Sequence, residues 1–498
     1  MSGWGSGYVT DITYMAGWYR QQSPQMMAIA ALLGGVGSNM PGPDDPVHYL
    51  ELGCGQGLGA MLLAASNPAW RVTAVDFNPA HVAAAREWAA DAGLANITFM
   101  EADLSTLAED PIGRAIPAAD FVSMHGLWTW VPKSVQHGIV RLLRDKVRPG
   151  GMVHVSYNAL PAWGGALGMA RLLRAAGKQL AWRSDRQAEE GLKVVRDLHA
   201  AEALQLRRSS MVQAVINRLD TLPLAYLAHE YMNENWEPCY LADVAAALSD
   251  AKLEWIASSQ LVENFPDLTL SAEQRALVQK FDDPMVRELI KDLCLDRTLR
   301  HDVFVRGARR VNVATRDAAL MDLSIALNIP PADLPLEADM PAGQAQLSPG
   351  FYRPIVNALA DGPRRVGDLL QLPEVEGKRD NPAELVGILV GMDLAEPSLR
   401  PNAQAGAEAI RFNRTTARRL MRTEALGRPM AAASFRMGMA VQSTLLDLVV
   451  LDRTMDGEGS MEALVSFMLG GIDETKLREV LQSSLDTRLP LLRASGVY

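Results

Sequence analysis

Residues 49–79, "YLELGCGQGLGAMLLAASNPAWRVTAVDFNP", constrain the fold more than any other part of this chain. An apolar run leads into glycines at every second position from Gly53 to Gly59. A short helical pattern follows, then a second apolar run that closes on Asp76. Strand, glycine loop, helix and strand in that order begin a parallel α/β sheet, and the loop cradles a nucleotide-bearing ligand. The 498 residues allow two to four domains, and a hydrophobic content of 48% suits a globular core. A net charge of −10 argues against nucleic acid as a partner, because neutralising phosphates takes a basic surface. Cys54, Cys239 and Cys294 are scattered and offer neither a disulfide framework nor zinc spacing. Cys54 lies inside the glycine loop without a basic neighbour in sequence, so it reads as a small packed residue. "HEYMN" carries Asn233 where a zincin helix requires a second histidine, and no metal is expected. The N-terminus lacks a basic segment followed by an apolar one, the mark of a signal peptide. "MAAASFRMGMAVQSTLLDLVVL" contains Arg436 and Asp447 and reads as a buried helix, not a membrane span. The expectation is a soluble, cytoplasmic protein.

The glycine pattern alone leaves two ligands open. Gly55-x-Gly57-x-x-Ala60, with Asp76 about twenty residues on, also satisfies the dinucleotide fingerprint. Four features favour S-adenosylmethionine (SAM). Glu51 precedes the first glycine by two residues, giving Glu-x-Gly-x-Gly-x-Gly, and the backbone at Gly53 and Gly55 must pass close to a ligand. Asp76 ends the second strand where it can accept both ribose hydroxyls, and Phe77 follows it, placed to lie against adenine. Asn78 and Pro79 start the next helix as N-cap and first-turn residue. A third strand, "NITFMEADL", finishes at Asp103 and Leu104, with Asp103 placed to accept from the adenine amino group, and "VRPGGMVHVSYN" feeds a fifth strand through a tight turn. Together these motifs resemble the class I SAM-dependent methyltransferases. The resemblance implies a Rossmann-like, doubly wound sheet with SAM as cofactor.

Strands are expected at about 47–52, 70–76, 96–101, 119–124 and 151–157, with helices at about 58–67, 79–93 and 133–146. The helix and antiparallel strand pair that should finish such a sheet are delayed by charged helical sequence. "YLADVAAALSDA" supplies the helix, "KLEWIAS" a strand, and "RHDVFVRG" the last strand, so the sheet closes near residue 307 around insertions at about 160–235 and 260–298. The first 310 residues are then expected to fold alone. A Pro-rich linker at 311–345, a winged-helix-like unit at 346–402 and a helical region at 403–498 follow. Seven arginines between 407 and 437 form a local basic patch, read as a solvated face or a surface for an acidic partner.

A second resemblance covers roughly residues 7–310. "GYVTDITYMAGWYRQQSP", "SMHGLWTWVP", "VSYNALPAW", "AYLAHEYMNENWEPCYLADVAAAL", "DPMVRELIKDL" and "RHDVFVRGARR" resemble bacterial methyltransferases with a methyltransferase regulatory domain, here about 218–310. The group includes rickettsial-type protein-lysine methyltransferases, which implies a protein or peptide acceptor. Methyl acceptors should sit where the strand-end loops converge. Tyr157 and Asn158 are the candidates for positioning the acceptor, and His125 for a cofactor contact or proton acceptor. Tyr19, Trp128 and Trp130 would line the acceptor pocket, and Tyr14 with Tyr19 could close over the cofactor. Two other functions stay open on sequence alone: a small-molecule methyltransferase whose tail forms a homodimer, and a SAM-sensing DNA-binding regulator.

Overall fold

Short, mostly buried apolar runs alternate with helices along the first 160 residues, and buried strands of this kind pair in parallel beneath helices on both faces. The computed structural model describes the chain except for residues 1–4, 6, 13–16, 38–39, 219–221 and 469–472, so Tyr14 lies outside the described residues. The strands are β1 (His48–Leu52), β2 (Arg71–Asp76), β3 (Ile97–Glu101), β4 (Ala119–Met124), β5 (Val147–Asn158), β6 (Leu253–Ser258) and β7 (Leu299–Arg306). They form one mixed sheet in the order β3-β2-β1-β4-β5-β7-β6. β1 to β5 run parallel, and β7 is antiparallel to both β5 and β6. The strand order reverses between β1 and β4, and loops leaving the sheet on either side of that point open a crevice at the strand ends.

The stretch between β5 and the helix Leu241–Ser249 holds helices Leu167–Gly177, Ser184–Ala200, Leu204–Arg208, Ser210–Arg218 and Leu224–Tyr231. Their apolar faces make a small core of their own, including Met169, Leu173, Leu192, Val195, Val212 and Leu227. Between β6 and β7, helices Ala272–Val278 and Pro284–Cys294 return the chain to the sheet. Here Arg300 on β7, 1% exposed, bonds Asp302 at 2.8 Å, Asp292 at 2.6 Å and Glu288 at 3.0 Å. Arg297 bonds Glu288 at 3.1 Å and Asp292 at 3.0 Å. Burial alone would raise the Glu288 carboxyl, yet Lys291, Arg300 and Arg297 hold it down to about 2.

The segment beyond 310 departs from the expected sequence of linker, unit and helices. Within 311–345, helix Val313–Asp322 and strand Ser324–Leu327 are well-formed, and the strand pairs with Arg364–Arg365 on one side and Ala395–Ser398 on the other. Its proline-rich part carries the hairpin Glu337–Met340/Gly343–Gln346. The alanine-rich stretch read as a buried helix is half hairpin: Pro429–Ser434 pairs with Met439–Thr444, and only Leu445–Met455 is helical. Alanine favours helix in isolation, but here Ala431, Ala432 and Ala433 are fully buried in a strand packed on helix Leu58–Ser66. Six of the seven arginines of 407–437 are occupied within the chain. Arg414 and Arg418 pair with Asp452 and Asp456, Arg419 with Glu87 and Asp91, and Arg411 donates to the Ala92 carbonyl at 2.8 Å. Among the described residues no helix is long and apolar enough to cross a membrane.

The C-terminal region shares its core with the sheet. A single hydrophobic cluster runs from Met26 through Trp70 and Phe412 to Val497, and all nine residues of helix Leu58–Ser66 are buried. Polar ties cross the same seam: Asn67 Nδ2 donates to the Gly438 carbonyl at 2.8 Å, Arg400 Nη1 to Asn67 Oδ1 at 3.1 Å, and Arg20 pairs with Glu396 at 2.6 Å. The expectation that the first 310 residues stand alone conflicts with this seam. A chain ending at 310 should expose the outer face of Leu58–Ser66 and lose cooperative unfolding, read by circular dichroism during a thermal melt. In the full chain, Arg300→Met leaves the buried Asp302 without a cation and strips one guanidinium from Glu288 and Asp292, which keep Arg297, and a loss of about 3–5 kcal/mol in urea unfolding is expected.

Candidate active site

A cavity of about 1000 Å³ lies at the carboxyl ends of β1 to β5 and is walled on its far side by the first insertion. Deep ligand pockets typically measure about 300–1,000 Å³, so this one has room for SAM and part of an acceptor. The glycine loop after β1 forms its floor. Gly55 takes φ +55°, and a Cβ there would point into open space, the space a ligand would fill. Gly57, at φ +74°, is glycine for packing: a Cβ would come within 2.3 Å of Phe99.

Asp76 fixes this loop. Its Oδ2 accepts the Gly55 amide at 2.8 Å and its Oδ1 the Asn78 amide at 2.9 Å, while Asn78 caps the helix beginning at Pro79. A carboxylate has about four acceptor sites, so both oxygens keep capacity for ribose hydroxyls. Phe77 and Leu104 line the cavity, as do Gly53 and Asp103. Asp103 Oδ1 accepts the Ser105 amide at 2.8 Å, an ordinary loop-capping bond. Glu51 is placed differently from expectation: it is buried behind the loop and contributes nothing to the cavity wall. Burial, with Asp76 nearby, pushes its carboxyl up to about 8, so it is protonated at neutral pH, and its Oε2 has no hydrogen-bond partner among the described residues.

The acceptor candidates divide. Tyr157 does not reach the cavity. Successive strand residues face opposite sides, and Tyr157 shares the buried face of Val153 and Val155, where its hydroxyl donates to Asp302 Oδ2 at 2.7 Å. That assignment is corrected: Tyr157 is a core residue tied to the Arg300 network. Trp128 is likewise buried in that core and is not in the cavity wall. Asn158, His125, Trp130 and Tyr19 do line the cavity. Asn158 Oδ1 accepts from Thr129 Oγ1 at 3.3 Å and from Trp236 Nε1 at 3.1 Å. Tyr19 stacks on the His125 ring with centroids 3.6 Å apart. Sequence reasoning missed Tyr8, Trp163, Tyr226, Glu230 and Tyr231, which complete the wall. The aromatic density of "AYLAHEYMNENW" was the available signal.

His125, His154 and His301 bring ring nitrogens within 4.8 Å of one another, a grouping that no spacing in sequence announces. Hydrogen bonds engage these rings: His154 with Ser123 Oγ at 3.1 Å and with His301 at 3.2 Å, and His125 with Ser156 Oγ at 3.0 Å. Burial drives all three below their ordinary pKa, His301 to about 4. A neutral, poorly basic His125 suits the support of Tyr19 better than the acceptance of a proton.

Residues 50–151 match a family model described as a methyltransferase domain, and residues 223–306 one described as a predicted methyltransferase regulatory domain. An uncharacterized protein of Synechocystis sp. is 29% identical over 512 residues, spanning 99% of both chains. An uncharacterized protein of Rickettsia prowazekii is 22% identical over 346 residues, 68% of this chain and 60% of its own. PKMT2 from Rickettsia typhi, solved in complex with AdoHcy, has the same fold, with a TM-score of 0.71 at 16% identity over 97% of this chain and 99% of its own.

Asp76→Ala should weaken SAM binding by about 1.5–3 kcal/mol, the range for hydrogen bonds to a charged group. Calorimetry checks this, with NAD expected to give no heat in the same cell. Unchanged SAM affinity in a folded variant would remove Asp76 from the ribose site.

Proposed function

We propose that this chain, a SAM-dependent methyltransferase with a methyltransferase regulatory domain, methylates lysine amines of a protein acceptor. The cavity carries this reading. It extends past the strand ends into an aromatic wall of Tyr8, Tyr19, Trp130, Trp163, Tyr226 and Tyr231, which suits a cationic side chain on a long apolar stem. The whole-chain likeness to PKMT2 supports it, as does the resemblance to bacterial protein-lysine methyltransferases.

Bound at the glycine loop, SAM supplies a methyl group on a sulfonium centre. Asp76 would hold the ribose, Phe77 would lie against the adenine, and Asp103 would use its second oxygen for the adenine amino group. Asn158, oriented by Thr129 and Trp236, and Tyr19, braced on His125, would guide the acceptor. Alignment of nucleophile and methyl group is the main task of the protein. The acceptor amine must also be neutral: from a free pKa of about 10.4, deprotonation at pH 7.5 costs roughly 4 kcal/mol. Desolvation among aromatic rings lowers that cost. The segments beyond 310, including the winged-helix-like reading of 346–402, would extend the surface that receives a folded acceptor.

Incubating the full-length protein with methyl-labelled SAM and fractionated lysate tests this reading. Label should enter protein and appear as methyl-lysine after hydrolysis. Label confined to small molecules would overturn the lysine reading and put a small-molecule methyltransferase in its place.

A further inference from the structure

Glu230 lies in the last turn of helix Leu224–Tyr231 in the first insertion and stands in the cavity wall. It is an odd choice for that place. Tyr8 and Tyr19 approach it from the N-terminal segment, and Tyr226 and Tyr231 from its own helix; all four hydroxyls feel its charge. Arg218, at the end of the preceding helix, lies near Tyr226 and Tyr231. The packed helices Leu167–Gly177 and Ser184–Ala200 contribute no described residue to the cavity wall. Among the described residues no ion pair to Glu230 is formed, although four other carboxylates near the sheet edge are paired with arginine or lysine. Among the described residues of the first insertion, Glu230 is therefore the one acid that lines this aromatic space, and Tyr8 lies within electrostatic reach of both Glu230 and Asp76.

We propose that Glu230 receives the acceptor amine: it pairs with the incoming ammonium group and takes its proton before methyl transfer. The inference rests on the lysine reading above and names the base which that reading requires. In the first step one N–H bond of the ammonium breaks and an O–H bond forms on the Glu230 carboxylate, leaving a neutral amine. In the second, the nitrogen lone pair forms the N–CH3 bond while the S–CH3 bond breaks, and its electron pair stays on sulfur as a neutral thioether. The product is a methylammonium, and the Glu230 proton passes to solvent once the product leaves.

Burial raises the Glu230 carboxyl to about 7, where a base can take a proton from an ammonium and release it again near neutral pH. The sign of the linkage agrees with a site built for an outside partner. A carboxyl whose folded pKa lies above its unfolded value favours the folded state least once pH exceeds the folded value. Above about pH 7 the unpaired charge therefore opposes folding. Among the described residues no cation pairs with this carboxylate, and the wall offers tyrosines, which stabilise a cation by their faces.

The test uses the full-length protein saturated with S-adenosylhomocysteine and n-butylamine as the lysine-side-chain probe. Binding is followed by NMR titration at pH 7.5, with n-pentanol as the uncharged control of similar length. Glu230→Gln should weaken n-butylammonium binding about 10-fold or more, leave n-pentanol and SAM affinity unchanged, and melt at or above the parent temperature at pH 8. Glu230→Asp should restore part of the amine binding. Equal amine binding by parent and Glu230→Gln, or no amine binding by the parent, overturns the proposal. A loss of SAM affinity in Glu230→Gln also overturns it, by placing the carboxylate on the cofactor. These outcomes are separate from the lysine reading: label in protein lysines together with amine binding indifferent to Glu230 would sink this inference alone.

Discussion

The buried guanidinium of Arg300 on β7 is the interaction on which the rest of the site depends. It stands on the last strand to pair, 1% exposed, among Glu288, Asp292 and Asp302. Charges removed from water so completely need excellent geometry to hold together, and here they fix three things at once. The second insertion is held against β7, and β7 is held against β5 and β6, because Asp302 also accepts the Tyr157 hydroxyl of β5 and the Trp255 Nε1–H of β6, each at 2.7 Å. The end of β5 is thereby set in place, and with it Asn158 at the cavity. Asp296, Thr298 and Leu299, at the start of β7, line the same cavity. The contacts that close the sheet thus also hold one side of the cavity.

The C-terminal region contributes at a second level. It covers the outer face of the helix that follows the glycine loop, so the loop is held from beneath by side chains more than three hundred residues away. Gln25 and Asn67 both donate to the carbonyl of Gly438 at 2.8 Å, drawing the N-terminal helix Pro24–Leu33, the loop helix and the C-terminal hairpin to one point.

The glycine-loop half of the cavity was legible in sequence, Glu51 excepted, because it is local. Gly53, Gly55, Asp76, Phe77, Asp103 and Leu104 follow directly from strand ends, and all line the cavity. The acceptor half was not, because it depends on which side of a pleat a residue faces and on what distant segments bring to it. Tyr157 and Asn158 are adjacent, yet one lies in the core and the other on the cavity, a distinction that a one-residue shift in register would reverse. Helix Pro24–Leu33 escaped notice for a related reason. It is buried on nearly every side and shows no amphipathic stripe to read. The alanine-rich hairpin at 429–444 read as helix because its small side chains answer to a neighbouring helix, not to their own intrinsic preference. His125, His154 and His301 come from three strand segments separated by up to 176 positions (301 − 125), so their meeting is a product of the sheet alone.

The inserted helices keep a hydrophobic core separate from that of the sheet, yet they supply one whole wall of the cavity. On the proposed reading, strand ends, which cannot change without disturbing the sheet, would define the donor side, and the acceptor side would be shared between strand-end residues such as Asn158 and the inner face of the insert. That inner face can vary in shape and charge while the glycine loop stays as it is. Such a division would let related chains keep one chemistry while changing what they act on.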